Sequence, residues 1–243
     1  MKKTALLFST VMLTSLVIGT GTAFAEEVPG TPGVPAAGEG TVSFKENTAV
    51  TPPVDPTDPT KPNPGELPDG GNDKTDAEGP LSLDVYPAVF DFGENNVDMS
   101  EQTYHSTLTG NHYLQVTDNR SDADGWSVTV SRTEFKLESG TPELTGSTFT
   151  LPLKTAIGRN ALATAPADPD TKLTTAGDDV AIPVGSGNAV TIFGADGTAN
   201  VGKSTSTYTW DASKETLTVK QNTAKQGTFK STVNWTLLAT PAS

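Results

Sequence analysis

The chain contains no cysteine. Disulfides are therefore excluded as a source of stability. Small secreted domains usually depend on them, so a fold built from this chain must rest on a hydrophobic core. Histidine is nearly as scarce, with two residues, His105 and His112. Neither stands in a metal-ligand pattern, and both read as surface or half-buried imidazoles. Basic residues are few as well: 16 Lys and Arg face 29 Asp and Glu, a net charge of −13. An acidic chain is a poor match for nucleic acid, whose binding rests on neutralising phosphates. Bulk attraction to an anionic membrane or anionic wall polymer is equally excluded, so any contact with such a surface needs a local site. At mildly acid pH the repulsion fades.

Long apolar runs are also missing, with one exception at the start. Lys2 and Lys3 precede an apolar stretch from Ala5 to Ile18, and Ala23-Phe24-Ala25 forms an A-x-A cleavage site before Glu26. This pattern is a signal peptide over residues 1–25, removed on export. The expected mature chain is secreted and has no membrane span. It carries 14 basic against 29 acidic residues. "LPDGG" at 67–71 is no wall-sorting signal, because no apolar tail and basic stop follow it.

Residues 26–40 hold Pro, Gly, Ala and Glu and read as a flexible leader. In "TVSFKENTAV" (41–50) Val42 and Phe44 alternate with Ser43 and Lys45, as in a half-buried strand. It is expected to be the first strand of the domain, reaching it across the segment that follows. That segment, 51–79, holds seven of the 18 prolines and reads as an acidic, polyproline-like spacer. From residue 80 to 243 the composition changes. Short stretches rich in Thr, Val and aromatics alternate with period 2 between Gly, Asn, Asp and Pro clusters. Residues 155–188, rich in Ala, Pro, Gly and Asp, read as a long loop. No segment carries a run of helical period. The expected fold class is all-β, a β-sandwich or open barrel of short strands.

No catalytic constellation stands out. There is no G-x-S-x-G elbow, and serine is too common for proximity to a histidine to mean anything. Asp122-Ala-Asp124-Gly125 resembles part of a calcium loop, but Arg120 stands where the EF-hand pattern needs an acidic or amide residue, and Ser131 where it needs a Glu. It reads as a polar turn in which Gly125 takes the awkward dihedral. The expectation is a protein that is not an enzyme and uses no metal or cofactor.

The tryptophans carry more information. In "WSVTVS", Trp126, Val128 and Val130 share one face of a strand. In "TVNWTLLA", Val233, Trp235 and Leu237 do the same. Both indoles thus lie on apolar faces. Core packing is the expected role of Trp126, Val128, Trp235 and Leu237, with an exposed aromatic platform for a glycan as the alternative.

These features occur in an order that resembles the WxL-domain proteins, surface proteins of low-GC Gram-positive bacteria. "GTVSF" precedes "PPVDPTDPTKPNP", then come "GPLSLDVYPAVFDFG" (79–93), "LQVTDNRSDADGWSVTVS" (114–131) and "GTFKSTVNWTLLATP" (227–241). The similarity spans the whole chain after residue 25. One departure is Trp126-Ser127-Val128, where the family pattern has Leu third. The resemblance implies non-covalent attachment to the cell wall, with the domain binding peptidoglycan. It also implies association with membrane-anchored WxL-interacting proteins. An assembly subunit held by such a partner, without direct wall binding, is the alternative. Candidate wall contacts are Asp118, Asn119 and Arg120 in the loop before Trp126, and Tyr113, which could stack on a sugar. Arg120 is a local cation suited to pairing a carboxylate in bidentate fashion.

Overall fold

Alternation of apolar and hydroxyl side chains does produce strands here, seventeen of them among the described residues. The computed structural model describes residues 28–122, 124–198 and 200–242. The signal-like segment 1–25 lies outside them. The chain divides into two compact units, Met1–Phe44 and Lys45–Ser243. In the first, a hydrogen-bonded turn ties Gly30 to Val34, and no strand occurs among the described residues.

The second unit holds all the strands. In chain order they begin with β1 (Val54–Asp55), β2 (Asp58–Pro62), β3 (Asn72–Lys74), β4 (Leu81–Pro87), β5 (Gln102–His105) and β6 (Asn111–Asp118). Then come β7 (Trp126–Arg132), β8 (Lys136–Leu137), β9 (Thr148–Leu151), β10 (Ile157–Asn160), β11 (Thr174–Thr175) and β12 (Val180–Ala181). The last are β13 (Val190–Ala195), β14 (Ser204–Asp211), β15 (Thr216–Val219), β16 (Phe229–Lys230) and β17 (Val233–Leu238). Three antiparallel sheets dominate, in the orders β10-β14-β6-β4-β3, β11-β13-β7-β17 and β12-β9-β15-β5. Two small ladders, β1-β2 and β16-β8, complete the all-β architecture.

The core gathers Leu114 and Val116 of β6, Trp126, Val128 and Val130 of β7, Phe149 and Leu151 of β9, Ile192 and Phe193 of β13, and Tyr208 and Trp210 of β14. The strands that carry the two motif tryptophans, β7 and β17, are immediate neighbours. β17 runs antiparallel to β7, with Trp235 opposite Val130 and Leu237 opposite Val128. β17 is an edge strand, and its residues alternate between half-buried and exposed. β7 is central, and all seven of its residues are buried. Its Ser and Thr face is therefore enclosed too, which alternation alone did not anticipate.

Three expectations need correction. First, residues 51–79 are not a spacer. They form a strap on the outer, polar face of the β14-β6-β4 region. Gln115 donates to Pro52 O (3.1 Å) and accepts from Val54 N (2.8 Å). Thr207 and Thr209 both donate to Pro56 O, and Asn63 donates to the Tyr113 hydroxyl. Proline carries a carbonyl but no N–H, so a Pro-rich segment offers acceptors, and this sheet face supplies hydroxyl and amide donors. Second, no strand forms over 41–50. A two-residue apolar stripe buries too little to fix a strand without a ladder partner. Isolated contacts occur instead: Gly79 N donates to Thr48 O, and Ser121 N to Glu46 Oε1. Third, residues 155–188 are not one loop. They contribute β10, β11 and β12, an outermost strand to each of the three large sheets.

Candidate functional site

β4 ends at Pro87, five residues short of Phe92. Phe90 and Phe92 instead stand on a loop and turn back onto Phe149 of β9, with ring centroids 5.0 and 5.2 Å away in edge-to-face geometry. The loop is buckled by its own polar groups. Asp91 accepts from Gly93 N (2.8 Å) and from the Thr107 hydroxyl (2.9 Å), and Asn95 donates to Phe92 O (2.8 Å). Opposite lies the segment 224–229, pinned where Phe229 of β16 pairs with Leu137 of β8. Gly227 has a φ of +135°, a backbone conformation that favours glycine, and a Cβ there would require the Leu137 side chain to move.

Between these loops opens a cleft of about 660 Å³. Its floor is apolar and aromatic: Phe90, Phe92, Tyr104, Phe135 and Phe229, with Leu217 and Val219 of β15. Its rim is polar, with Asp91, Glu94, Asn95, Asn96, Lys225 and Gln226. Arg132, only 2 % exposed, lies over the Phe135 ring at 5.4 Å. Its guanidinium donates to Ile182 O, Thr133 O and Ser147 O, fixing that corner of the floor. The size lies within the range of small-ligand sites, and a rigid sheet carries the loops that shape it.

The residues singled out from sequence are elsewhere. Tyr113 is 2 % exposed, on the strap-covered face, with its hydroxyl bonded to Asn63. Burial raises its phenol well above the ordinary range. Asp118 is 1 % exposed, and Arg120 clasps it with Nε and Nη2 at 2.9 and 3.0 Å. Lys203 adds a second cation 3.4 Å from Asp118 Oδ2. The half-buried Asn119 donates to Pro80 O. Asp118 and Arg120 form an internal buckle at the end of β6 in which the charge of Arg120 is already paired, whereas Tyr113 lies near the start of that strand, apart from them, with its ring buried. The reason is local. Asp118 precedes Arg120 by two residues in a tight turn, so the carboxylate reaches its own guanidinium before any ligand can. Gly125 closes the turn with a φ of +69°.

The motif residues are positioned differently. Trp126 and Val128 are 0 % exposed, and Trp126 Nε1 donates to Gly202 O (3.1 Å). Trp235 and Leu237 are half-buried against the core, with Trp235 Nε1 donating to Pro87 O (3.0 Å). A row of aromatic contacts joins the two indoles. Trp126 meets Phe193, which stacks on Tyr208, which meets Trp210, which meets Trp235. The row branches from Trp210 through His112 to Phe90 at the cleft. His112 is 1 % exposed rather than at the surface, whereas His105 is exposed.

Sequence reasoning missed the cleft because its two walls lie more than a hundred residues apart. The available signal was local: two Phe one residue apart, followed by the turn-forming Gly93-Glu94-Asn95-Asn96. No group of three or more His, Cys, Asp or Glu side chains stands where it could hold a metal among the described residues. Among those residues no helix is long and apolar enough to cross a membrane.

No curated protein and no solved structure matches the chain. The family model for the WxL domain, described as surface cell wall-binding, matches residues 35–241. That span takes in the strap, the cleft and both tryptophan strands, and the chain belongs to this family.

Proposed function

We propose that this chain is a secreted, non-enzymatic protein that binds peptidoglycan directly, in the cleft between the Phe90–Asn96 loop and the 224–229 segment. The observation that carries this reading is the cleft's composition. Sugar rings have an apolar C–H face and a hydroxyl edge. Aromatic rings beneath and carboxamides at the rim match both. Tyr104 and Phe92 are the proposed stacking platforms, and Asn96 and Gln226 the proposed hydroxyl partners. The tryptophans of the motif support the cleft from the core without touching the ligand. Wall association itself is the property of the family to which the chain belongs.

The test is co-sedimentation of the purified chain, lacking residues 1–25, with protein-free peptidoglycan. Saturable pelleting is expected, with no loss of turbidity and no released fragments. Tyr104→Ala and Gln226→Ala should each weaken it. Soluble fragments or clearing would make the protein an enzyme. N-terminal sequencing of exported protein should begin at Glu26.

A second reading is favoured by one feature. β17 is an edge strand with Asn234 and Thr236 outward, a site where a partner's strand could add. On this reading a membrane-anchored WxL-interacting protein holds the chain at the surface. No pelleting with bare peptidoglycan, restored by such a partner, is its expected outcome.

A further inference from the structure

A second cavity, of about 160 Å³, lies at the turn that leads into β3, with Asp69, Gly71, Asn72, Gly110, Asn111 and His112 in its walls. His112 Nδ1 lies 2.7 Å from Glu215 Oε1, an oxygen that also accepts from Trp210 Nε1 at 2.8 Å. A carboxylate only accepts, so Nδ1 carries a proton in this pair. Nε2 is buried and has no hydrogen-bond partner among the described residues. Buried polar atoms are seldom left so.

The side of the turn facing Nε2 has been kept open. A Cβ on Gly71 would stand 2.9 Å from His112 Nε2 and 3.6 Å from Asp69 Oδ1. Gly71 is not among the residues with positive φ, so space rather than backbone conformation calls for glycine. The donors of the turn are already used. Gly71 N and Asn72 N donate to Asp69 Oδ1, and the Asn72 amide donates to Asp69 Oδ2 and Asn111 O. Partial burial alone would raise the Asp69 carboxyl, but the hydrogen bonds from Asn72 and Gly71, with a smaller electrostatic contribution from His112, outweigh it and hold the group below the ordinary range. It stays anionic at neutral pH. What remains on offer is the unpartnered Nε2 of the imidazole and one carboxylate.

We propose that the His112 ring is protonated at Nδ1 alone and that this pocket is a subsite for a primary ammonium group, which donates to His112 Nε2 and to the Asp69 carboxylate. Lysine-type side chains and free peptide amino ends carry such a group. Phe90 lines the glycan cleft and packs on His112 at 5.1 Å, so both cavities rest on one aromatic ring. The ammonium subsite does not require the cleft to bind glycan.

The experiment titrates the chain from Glu26, with ¹⁵N-labelled histidine, at neutral pH. The probe is Nα-acetyl-lysine methylamide, and the control is its Nε-acetylated form. A saturable shift of the His112 Nε2 resonance is expected with the amine and none with the control. Gly71→Ala, whose Cβ presses on the buried His112 ring, should weaken the response about tenfold or more and lower the melting temperature. If that variant does not fold, the two compounds on the wild-type chain decide alone. Equal responses, no response, a ring protonated on both nitrogens, or a response to Zn²⁺ but not to the amine would each overturn the proposal. Because the probe is soluble, failure here leaves the co-sedimentation result standing, and the reverse also holds.

Discussion

Trp126 and Trp235 share a motif but not an environment. Trp126 is wholly enclosed, so Trp126→Ala should destabilise by about 3–5 kcal/mol, the usual cost of emptying a large aromatic site. Trp235 is half-buried on an edge strand, and its replacement should cost clearly less. Equilibrium unfolding of the two variants checks the order. Asp84 gives a pH-dependent test. Burial raises its carboxyl above the ordinary range, partly offset by hydrogen bonds from Ser82, Thr117 and Gln115. The folded chain therefore holds this proton more tightly than the unfolded one. The group's contribution is fully present below an unfolded pKa of about 3.9 and is lost as pH rises through the higher folded value. Asp84→Asn removes that loss. The melting temperature of the variant relative to wild type should rise between about pH 4 and about pH 7; parallel curves would contradict it. At this scale the sequence was informative where a side chain's role follows from its own strand face, as for Trp126, Val128 and Leu237. It was uninformative for Tyr113 and Arg120, whose partners Asn63 and Asp118 decide their availability. Nothing in the residue type alone distinguishes a paired arginine from a free one.

At the scale of elements, period-2 alternation located β6, β7, β14 and β17 well, because these strands carry hydroxyl or amide residues between apolar ones. It failed on the strap. Its residues are Pro, Asp and Thr, which read as solvated when the partner surface is unknown. Only the register of β6 against β14 places Tyr113, Gln115 and Thr117 beside Thr209, Thr207 and Thr205 on one face, and that register is non-local information. Gln115 is the link between strap and sheet, bonded to Pro52, Val54 and Asp84. Gln115→Ala leaves the Val54 N–H and the Pro52 carbonyl unpaired, with a cost of about 1–3 kcal/mol. Hydrogen exchange should accelerate at Val54 and Asn63, whose amides are held by Gln115 and Pro53, more than at the β7 amides. Uniform acceleration would mean that the strap and sheet unfold as one unit.

On the scale of the whole molecule, two tryptophan strands form adjacent rungs of one sheet, an aromatic row crosses the core, and one branch of that row ends at the cleft. In the proposed function, what builds the domain is separate from what meets the wall. The motif tryptophans pack in or against the core, and the binding surface proposed for the wall is assembled from two loops distant in sequence. A paired measurement on three chains tests this separation: affinity for protein-free peptidoglycan by co-sedimentation, and melting temperature, for wild type, Tyr104→Ala and Trp126→Ala. The account predicts that Tyr104→Ala loses about tenfold or more in affinity while melting within a few degrees of wild type. It predicts that Trp126→Ala melts far lower, yet binds like wild type at temperatures where it remains folded. Wild-type affinity in a folded Tyr104→Ala chain, or lost affinity in a folded Trp126→Ala chain, would contradict it.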